Sequence, residues 1–97
     1  MLTQNEQRDF IRMAVDAPVQ VRVAQAAGVV TLAGRCRDLS ATGLSLWLAE
    51  ELAVGTTVQV HMESGGPAAA LNATCEVMRV QQHDDGIEHG CTIVSFD

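Results

Sequence analysis

Two groups of polar residues carry the side chains that could recognise a small anion. Arg8 and Arg12 lie four residues apart near the N-terminus, and Asp38, Ser40 and Gly43 follow later in the chain. Arginine makes paired, charge-assisted hydrogen bonds to phosphate oxygens, and it can also contact guanine or stack on it. Aspartate can accept from guanine N–H groups, a serine hydroxyl can bridge to a phosphate or a base, and glycine permits positive φ or close approach of the backbone. These residue types suit a compact ligand with two phosphates and two guanines.

Two further arginines, Arg35 and Arg37, directly precede Asp38. Residues two apart on a strand share a face, so we expect both guanidinium groups to add positive field or contacts to the same site. An alternative stays open at this level. Asp and Ser often hydrogen-bond their own backbone, and a glycine often ends a turn, so the segment 38–43 could simply be a turn. The earlier pair, Arg8 and Arg12, could likewise be a solvated charged face beside the core.

The charge of the chain restricts the class of partner. The net charge is −6, all six basic residues are arginine, and there is no lysine. A polymer of nucleic acid is bound mainly through neutralisation of many phosphates, so we expect no binding of duplex DNA or RNA. An anionic membrane surface is disfavoured for the same reason. Locally clustered arginines still allow a small anion, because the arginine fork matches phosphate and the edge of guanine.

Length and apolar runs place the chain among small globular domains. With 97 residues, the chain is expected to form one domain. No apolar run approaches the roughly 20 residues that a membrane helix needs. The N-terminus is polar and lacks the features of a signal peptide, so we expect a cytoplasmic protein, or a cytoplasmic part of something larger.

The residue types that would carry catalysis or metal binding are poorly arranged. The three cysteines lie inside apolar runs without C-x-x-C spacing, so we expect buried reduced thiols and no zinc site. The segment 83–89 contains metal-ligand types but reads as a solvated hairpin tip. The histidines lie far along the chain from Ser40, and neither a nucleophile elbow nor a glycine-rich phosphate loop is present. We therefore expect no catalytic residues, no metal and no cofactor.

Alternation of apolar and polar residues predicts about six short strands and no amphipathic helix. The leucines at 44, 46 and 48 are predicted to be core, with Trp47 pointing outward or toward a rim. Gly34 suggests a bulge or a close approach of another backbone, and a slip in phase near Arg79 suggests a second bulge. The segment 81–89 is expected to be a hairpin loop. The pattern predicts a small antiparallel barrel or sandwich, with strands at 19–23, 29–37, 44–48, 57–62, 71–80 and 90–96.

The order of these motifs resembles the PilZ domain family. The resemblance rests on Arg8-x-x-x-Arg12, a predicted strand pair, and Asp38-x-Ser40-x-x-Gly43 followed by Leu44-Ser45-Leu46. It implies an all-β fold, a six-stranded antiparallel β-barrel of the split-barrel type over residues 13–97. It also implies a flexible N-terminal arm, residues 1–12, that carries the arginine pair and folds over the ligand. The implied ligand is the bacterial second messenger cyclic di-GMP.

The resemblance implies a receptor or adaptor rather than an enzyme. Ligand binding would change its conformation and so regulate a partner protein or an attached domain that controls motility, biofilm or exopolysaccharide. Another member of the same fold could act as a protein-interaction adaptor without the nucleotide. Together with the two arginines before the second motif, the expected ligand-binding residues are Arg8, Arg12, Asp38, Ser40, Gly43, Arg35 and Arg37.

Two departures from the family pattern leave questions open. Gln7 stands where the family often has another arginine, so the ligand could bind as one molecule or as a stacked pair. The family also often adds a C-terminal helix, which has no counterpart here. The 97 residues could therefore be a domain cut from a longer protein or a minimal version.

Overall fold

The structure is a computed structural model, and it describes residues 13–63 and 70–97. Neighbouring strands are all antiparallel, and they close into a barrel in the order β1-β2-β3-β6-β5-β4, with β4 pairing back to β1. This confirms the predicted six-stranded antiparallel barrel. None of the described segments forms a helix long and apolar enough to cross a bilayer. The strands are β1 Met13–Gln25, β2 Gly28–Leu39, β3 Gly43–Leu48, β4 Thr57–Met62, β5 Leu71–His83 and β6 Gly86–Phe96.

The core lies inside the barrel and follows the alternation of the strands. Leu44, Leu46 and Leu48 are all buried, as predicted from their spacing on β3. The three cysteines are also buried and unbridged, and they pack as small apolar side chains. Since each buried residue is followed by one on the outer face, the polar residues between them are presented on the outside of the barrel.

Two β-bulges decide which residues face outward near one end of the barrel. The β2–β3 ladder shifts between Cys36 and Asp38, which leaves Arg37 as the extra residue. The β5–β6 ladder shifts between Val77 and Arg79, which confirms the bulge predicted near Arg79. A strand alternates with period two, so an extra residue reverses the face of every residue after it. Asp38 and Arg79, which simple alternation would turn inward, therefore face outward.

Gly34 has a different role from a bulge. Gly34 continues the β1–β2 ladder opposite Val19, so the bulge predicted at this position is wrong. The alternative prediction, close approach of another backbone, is confirmed. A Cβ built at this position would lie 2.6 Å from the carbonyl oxygen of Trp47 and would also collide with the Leu48 side chain. Gly34 thus allows β2 and β3 to approach closely beside the segment that carries Asp38.

The hairpin predicted at 81–89 is present, but its loop is much shorter than predicted. β5 continues to His83, which pairs with Gly86, and only Asp84 and Asp85 form the turn. Gly86 has φ of 150° and so permits this tight connection. The error has a physical cause, because the outward-facing polar residues at the end of β5 have the composition of a loop.

Candidate functional site

Four residues on neighbouring strands form a line across the outside of the barrel. Asp38 on β2 lies opposite Ser45 on β3, Ser45 lies opposite Gly90 on β6, and Gly90 lies opposite Arg79 on β5. We call this line the outer row. The short side chain of Ser45 is only 4% exposed, so it lies at the bottom of the row rather than at its rim. The outer row therefore has a carboxylate near one end, a guanidinium at the other, and little side-chain bulk between them.

The turn between β2 and β3 is organised by Ser40. Its backbone N–H donates to the carbonyl of Gly43 at 2.9 Å. Its Oγ accepts from the N–H groups of Thr42 and Gly43 at 3.3 and 3.2 Å. The hydroxyl also lies 3.3 Å from the Gly43 carbonyl, which is long compared with the usual O–H···O distance of about 2.7–2.8 Å. Ser40 thus builds the turn, while its hydroxyl proton is held only weakly and could be redirected to a ligand.

Gly43 is required by packing rather than by backbone conformation. It does not belong to the glycines with positive φ, so the first of the two roles expected from the sequence, a positive φ, is wrong. A Cβ at this position would lie 2.7 Å from the carbonyl oxygen of Cys91 on β6. The neighbouring Thr42 carbonyl accepts from the N–H of Ile93 at 2.8 Å, which fixes the turn to β6. Gly43 therefore allows the Ser40 turn to sit directly against β6.

Arg35 is engaged by an acidic residue of β1. Its Nε donates to Oδ1 of Asp16 at 2.5 Å, and its Nη2 donates to the Asp16 carbonyl at 3.0 Å. The hydrogen bond from Arg35 holds the pKa of Asp16 below its usual value. Asp16 lies within the irregular part of the β1–β2 ladder, between Ala14 and Ala17. The Arg35 guanidinium thus joins β1 to β2 immediately before the β2 bulge.

Arg37, the extra residue of the β2 bulge, stacks on an aromatic ring. Its Cζ lies 4.2 Å from the centroid of the Trp47 ring, and Nη1 lies 3.5 Å from a carboxylate oxygen of Asp85. The Trp47 ring also contacts the His83 ring, with centroids 4.6 Å apart and an angle of 33° between the planes. Trp47 is half-buried on the outer face, which confirms its outward orientation. Arginine on tryptophan is a favourable cation–π contact, and both flat groups can stack on a purine.

Comparison with known proteins identifies the family. A family model described as PilZ domain matches residues 6–97. The chain belongs to the PilZ domain family. No curated protein matches the sequence of this PilZ domain.

Solved structures share the PilZ fold at low sequence identity. The inhibitor of motility MotI/DgrA from Bacillus subtilis has a TM-score of 0.69 and 14% identity, over 94% of this chain and 44% of that chain. The PilZ domain of CeSA from a cellulose-synthesizing bacterium has a TM-score of 0.61 and 20% identity, over 87% of this chain and 80% of that chain. YcgR from Escherichia coli in complex with c-di-GMP has a TM-score of 0.69 and 19% identity, over 91% of this chain and 38% of that chain. The chain therefore spans less than half of MotI/DgrA and of YcgR, and these likenesses establish the fold.

The site residues expected from the sequence divide into two groups. Arg8 and Arg12 lie outside the described residues of the PilZ domain. The five others lie on β2 or in the turn that follows it, up to the first residue of β3. Trp47 and His83 also lie next to this region and were not expected there from the sequence. The one feature that could have indicated it is the alternation that places Trp47 on the outer face. Within residues 13–63 and 70–97, no group of three or more acidic, histidine or cysteine side chains could hold a metal ion.

Proposed function

We propose that this PilZ domain is a receptor for cyclic di-GMP. One observation carries the proposal. A chain of PilZ fold combines Arg8-x-x-x-Arg12 with Asp38 and Ser40 at the turn where the outer row begins. The structure of YcgR in complex with c-di-GMP shares this fold. The ligand supplies the phosphates and guanine edges that these residue types recognise.

Each residue has a specific role in the proposal. Arg8 and Arg12 clamp phosphate and guanine, and the Asp38 carboxylate accepts from the guanine N–H groups. Ser40 turns its weakly held hydroxyl proton toward the ligand, and Gly43 keeps the turn against β6.

The two arginines that precede Asp38 act differently from the clamp. Arg37 offers its guanidinium and the Trp47 ring as a stacking surface for a base. Arg35 already uses two of its five guanidinium N–H donors on Asp16, so it can offer only the remaining donors to the ligand.

The proposed output is regulation without catalysis. Binding changes the conformation of the domain, and this change is read by a protein partner or an attached effector domain. The output falls within control of motility, biofilm or exopolysaccharide, in line with the inhibitor of motility that shares the fold. Binding to nucleic-acid polymers is not part of the proposal, since the net charge of −6 opposes binding to polyanions. Membrane insertion is not part of it either. We propose a cytoplasmic location, where a nucleotide messenger would be met.

The test replaces residues of the proposed site and measures binding by isothermal titration with cyclic di-GMP. We expect Arg12→Ala and Asp38→Asn each to weaken binding by at least tenfold, with unchanged circular dichroism. Asp84→Asn is the matched control, because it removes the same charge from the exposed β5–β6 turn. Binding by Arg12→Ala that equals the wild type would show that the assigned clamp is wrong. If neither the wild type nor any variant binds cyclic di-GMP, the result would favour a nucleotide-independent adaptor.

A further inference from the structure

Arg79 stands at the far end of the outer row, on a strand that is distant in sequence from both arginine pairs. Its outward direction is created by the β5 bulge. Val77 is buried and Met78 is the extra residue, so without the bulge Arg79 would point into the core. The bulge on β2 has the same effect on Asp38. Two irregularities on two strands thus place a carboxylate and a guanidinium on one row of the outer face.

Gly90 provides the space that Arg79 occupies. A Cβ built on Gly90 would lie 3.0 Å from Cγ of Arg79, 3.1 Å from Nε and 3.4 Å from Cζ. The arginine side chain therefore lies across β6 and carries its guanidinium from β5 toward β3. A side chain at position 90 would press on the Arg79 side chain and shift it by a few tenths of an ångström or more.

The Arg79 guanidinium is also available for a ligand. Within residues 13–63 and 70–97, the ion pairs of arginine involve Arg35 and Arg37, and Arg79 has no acidic partner. Arg79 is exposed, so its guanidinium is accessible to a ligand. A guanidinium held over a flat strand, with no carboxylate to neutralise it, is suited to an incoming anion.

The dimensions of the outer row fit the proposed ligand. Adjacent strands lie about 4.8 Å apart, so the guanidinium over Gly90 is roughly 10 Å, two strand spacings, from Asp38. Ser45 and Gly90 leave little bulk between them. A ligand with two phosphates and two bases can therefore be held by Asp38 at one end and by a cation at the other.

We infer that Arg79 is a further ligand-binding residue of this domain and that it binds a phosphate or the second guanine from across the outer row. Gly90 provides the space in which the Arg79 side chain lies. This inference rests on the proposed binding of cyclic di-GMP. It adds to the site a residue on β5, at the end of the outer row opposite Asp38.

Isothermal titration with cyclic di-GMP tests the role of Arg79. We expect Arg79→Ala to weaken binding roughly tenfold or more, as for the loss of a charge-assisted contact, and Arg79→Lys to restore part of it. Arg22→Ala is the matched control. It removes the same charge from an exposed arginine on β1, three strands around the ring from β6, and Arg22 also lacks an ion pair among the described residues.

A double-mutant cycle tests the role of Gly90. Gly90→Ala should weaken binding when Arg79 is present, because the new methyl group displaces the arginine. In the Arg79→Ala background the same substitution should have no further effect. A purely structural role of Gly90 would instead give the same loss in both backgrounds, which would overturn the seating.

The outcomes separate this inference from the proposal beneath it. If the wild type binds and Arg79→Ala binds equally well, the role of Arg79 is wrong and the receptor function stands. If Arg22→Ala weakens binding as much as Arg79→Ala, the effect is one of total charge and the specific contact is wrong. If the wild type does not bind, both the receptor function and the role of Arg79 are overturned.

Discussion

The guanidinium carbon of Arg37 lies 4.2 Å from the centroid of the Trp47 ring. Arg37 and Trp47 are not paired in the β2–β3 ladder, since Arg35 lies directly opposite Trp47. Arg37 is the extra residue of the β2 bulge, and its side chain extends along the outer face to the Trp47 ring. The only tryptophan of the chain therefore packs against Arg37, the residue that directly precedes Asp38, and lies two residues from Ser45 on the same outer face.

Trp47 should report ligand binding through its fluorescence. Because the ring packs against Arg37, a nucleotide that stacks on either group will change the surroundings of the indole. We expect a saturable change of Trp47 emission on addition of cyclic di-GMP, and none with GTP. Asp38→Asn should shift this change to higher ligand concentration, whereas Asp84→Asn should not. A nucleotide that binds while the emission stays constant would place the ligand away from the Arg37–Trp47 contact.

His89 should be important for stability although it lies outside the proposed site. It is fully buried, its Nε2 accepts from the N–H of Leu52 at 3.0 Å, and its Nδ1 lies 3.1 Å from the carbonyl of Ile87. The carbonyl can only accept, so Nδ1 carries the proton and the ring is neutral. His89→Ala would leave a cavity and an unpaired N–H, so we expect a loss of about 3 kcal/mol in the free energy of unfolding, measured with urea.

The comparison for His89→Ala is His61→Ala. His61 lies on the outer face and bonds Asn72 and Glu63 in exposed contacts. Exposed pairs of this kind contribute little, so the control should cost less than about 1 kcal/mol. Equal losses for the two variants would contradict the structural role assigned to His89.

The three thiols should be unreactive in the folded domain. Burial raises the pKa of Cys36 and Cys75 to about 11 and that of Cys91 to about 12. Since the thiolate is the reactive form, we expect no reaction with Ellman's reagent at about pH 8, and reaction of all three thiols in denaturant. Rapid labelling of any one of them under native conditions would show that the barrel opens at that strand.

The Asp16–Arg35 pair should stabilise the domain at neutral pH and not in acid. The hydrogen bond to Arg35 lowers the pKa of Asp16 below its usual value of 3.8. Its contribution is therefore fully present above about pH 4 and is lost as the pH falls through the lower pKa of the folded state. Asp16→Asn should be less stable than the wild type at about pH 7, and the difference should shrink at about pH 3.

Urea unfolding at low salt measures this difference, with Asp84→Asn as the control for removal of an exposed carboxylate. The effect should be small, because both partners are largely exposed. A difference between Asp16→Asn and the wild type that grows on acidification would contradict the assignment of the pair.

The barrel could be predicted from the sequence because its signals are local. Alternation identifies β3 and β4 closely, and the buried leucines at 44, 46 and 48 follow directly from it. The same rule failed in the segment 81–83 at the end of β5, where consecutive residues are all polar and exposed, so that no alternation is present. Solvated strand residues and loop residues have similar compositions, so pairing across the hairpin was needed to distinguish them.

The candidate site depends on relationships that single strands do not reveal. Asp38 and Ser40 could be selected by type and spacing, but the outer row requires the strand order β2-β3-β6-β5 and two bulges. The seating of Arg79 on Gly90 likewise joins residues whose contact depends on the β5 bulge. The engagement of Arg35 by Asp16 spans 19 residues, and the sequence offered no signal for it.

Isothermal titration of the wild-type domain with cyclic di-GMP, with GTP as the control ligand, tests the central claim most directly. We predict saturable binding of the cyclic dinucleotide alone. The stoichiometry would show whether one molecule or a stacked pair binds beside Gln7. Flat heats, together with an unchanged melting temperature at high ligand concentration, would contradict the receptor function.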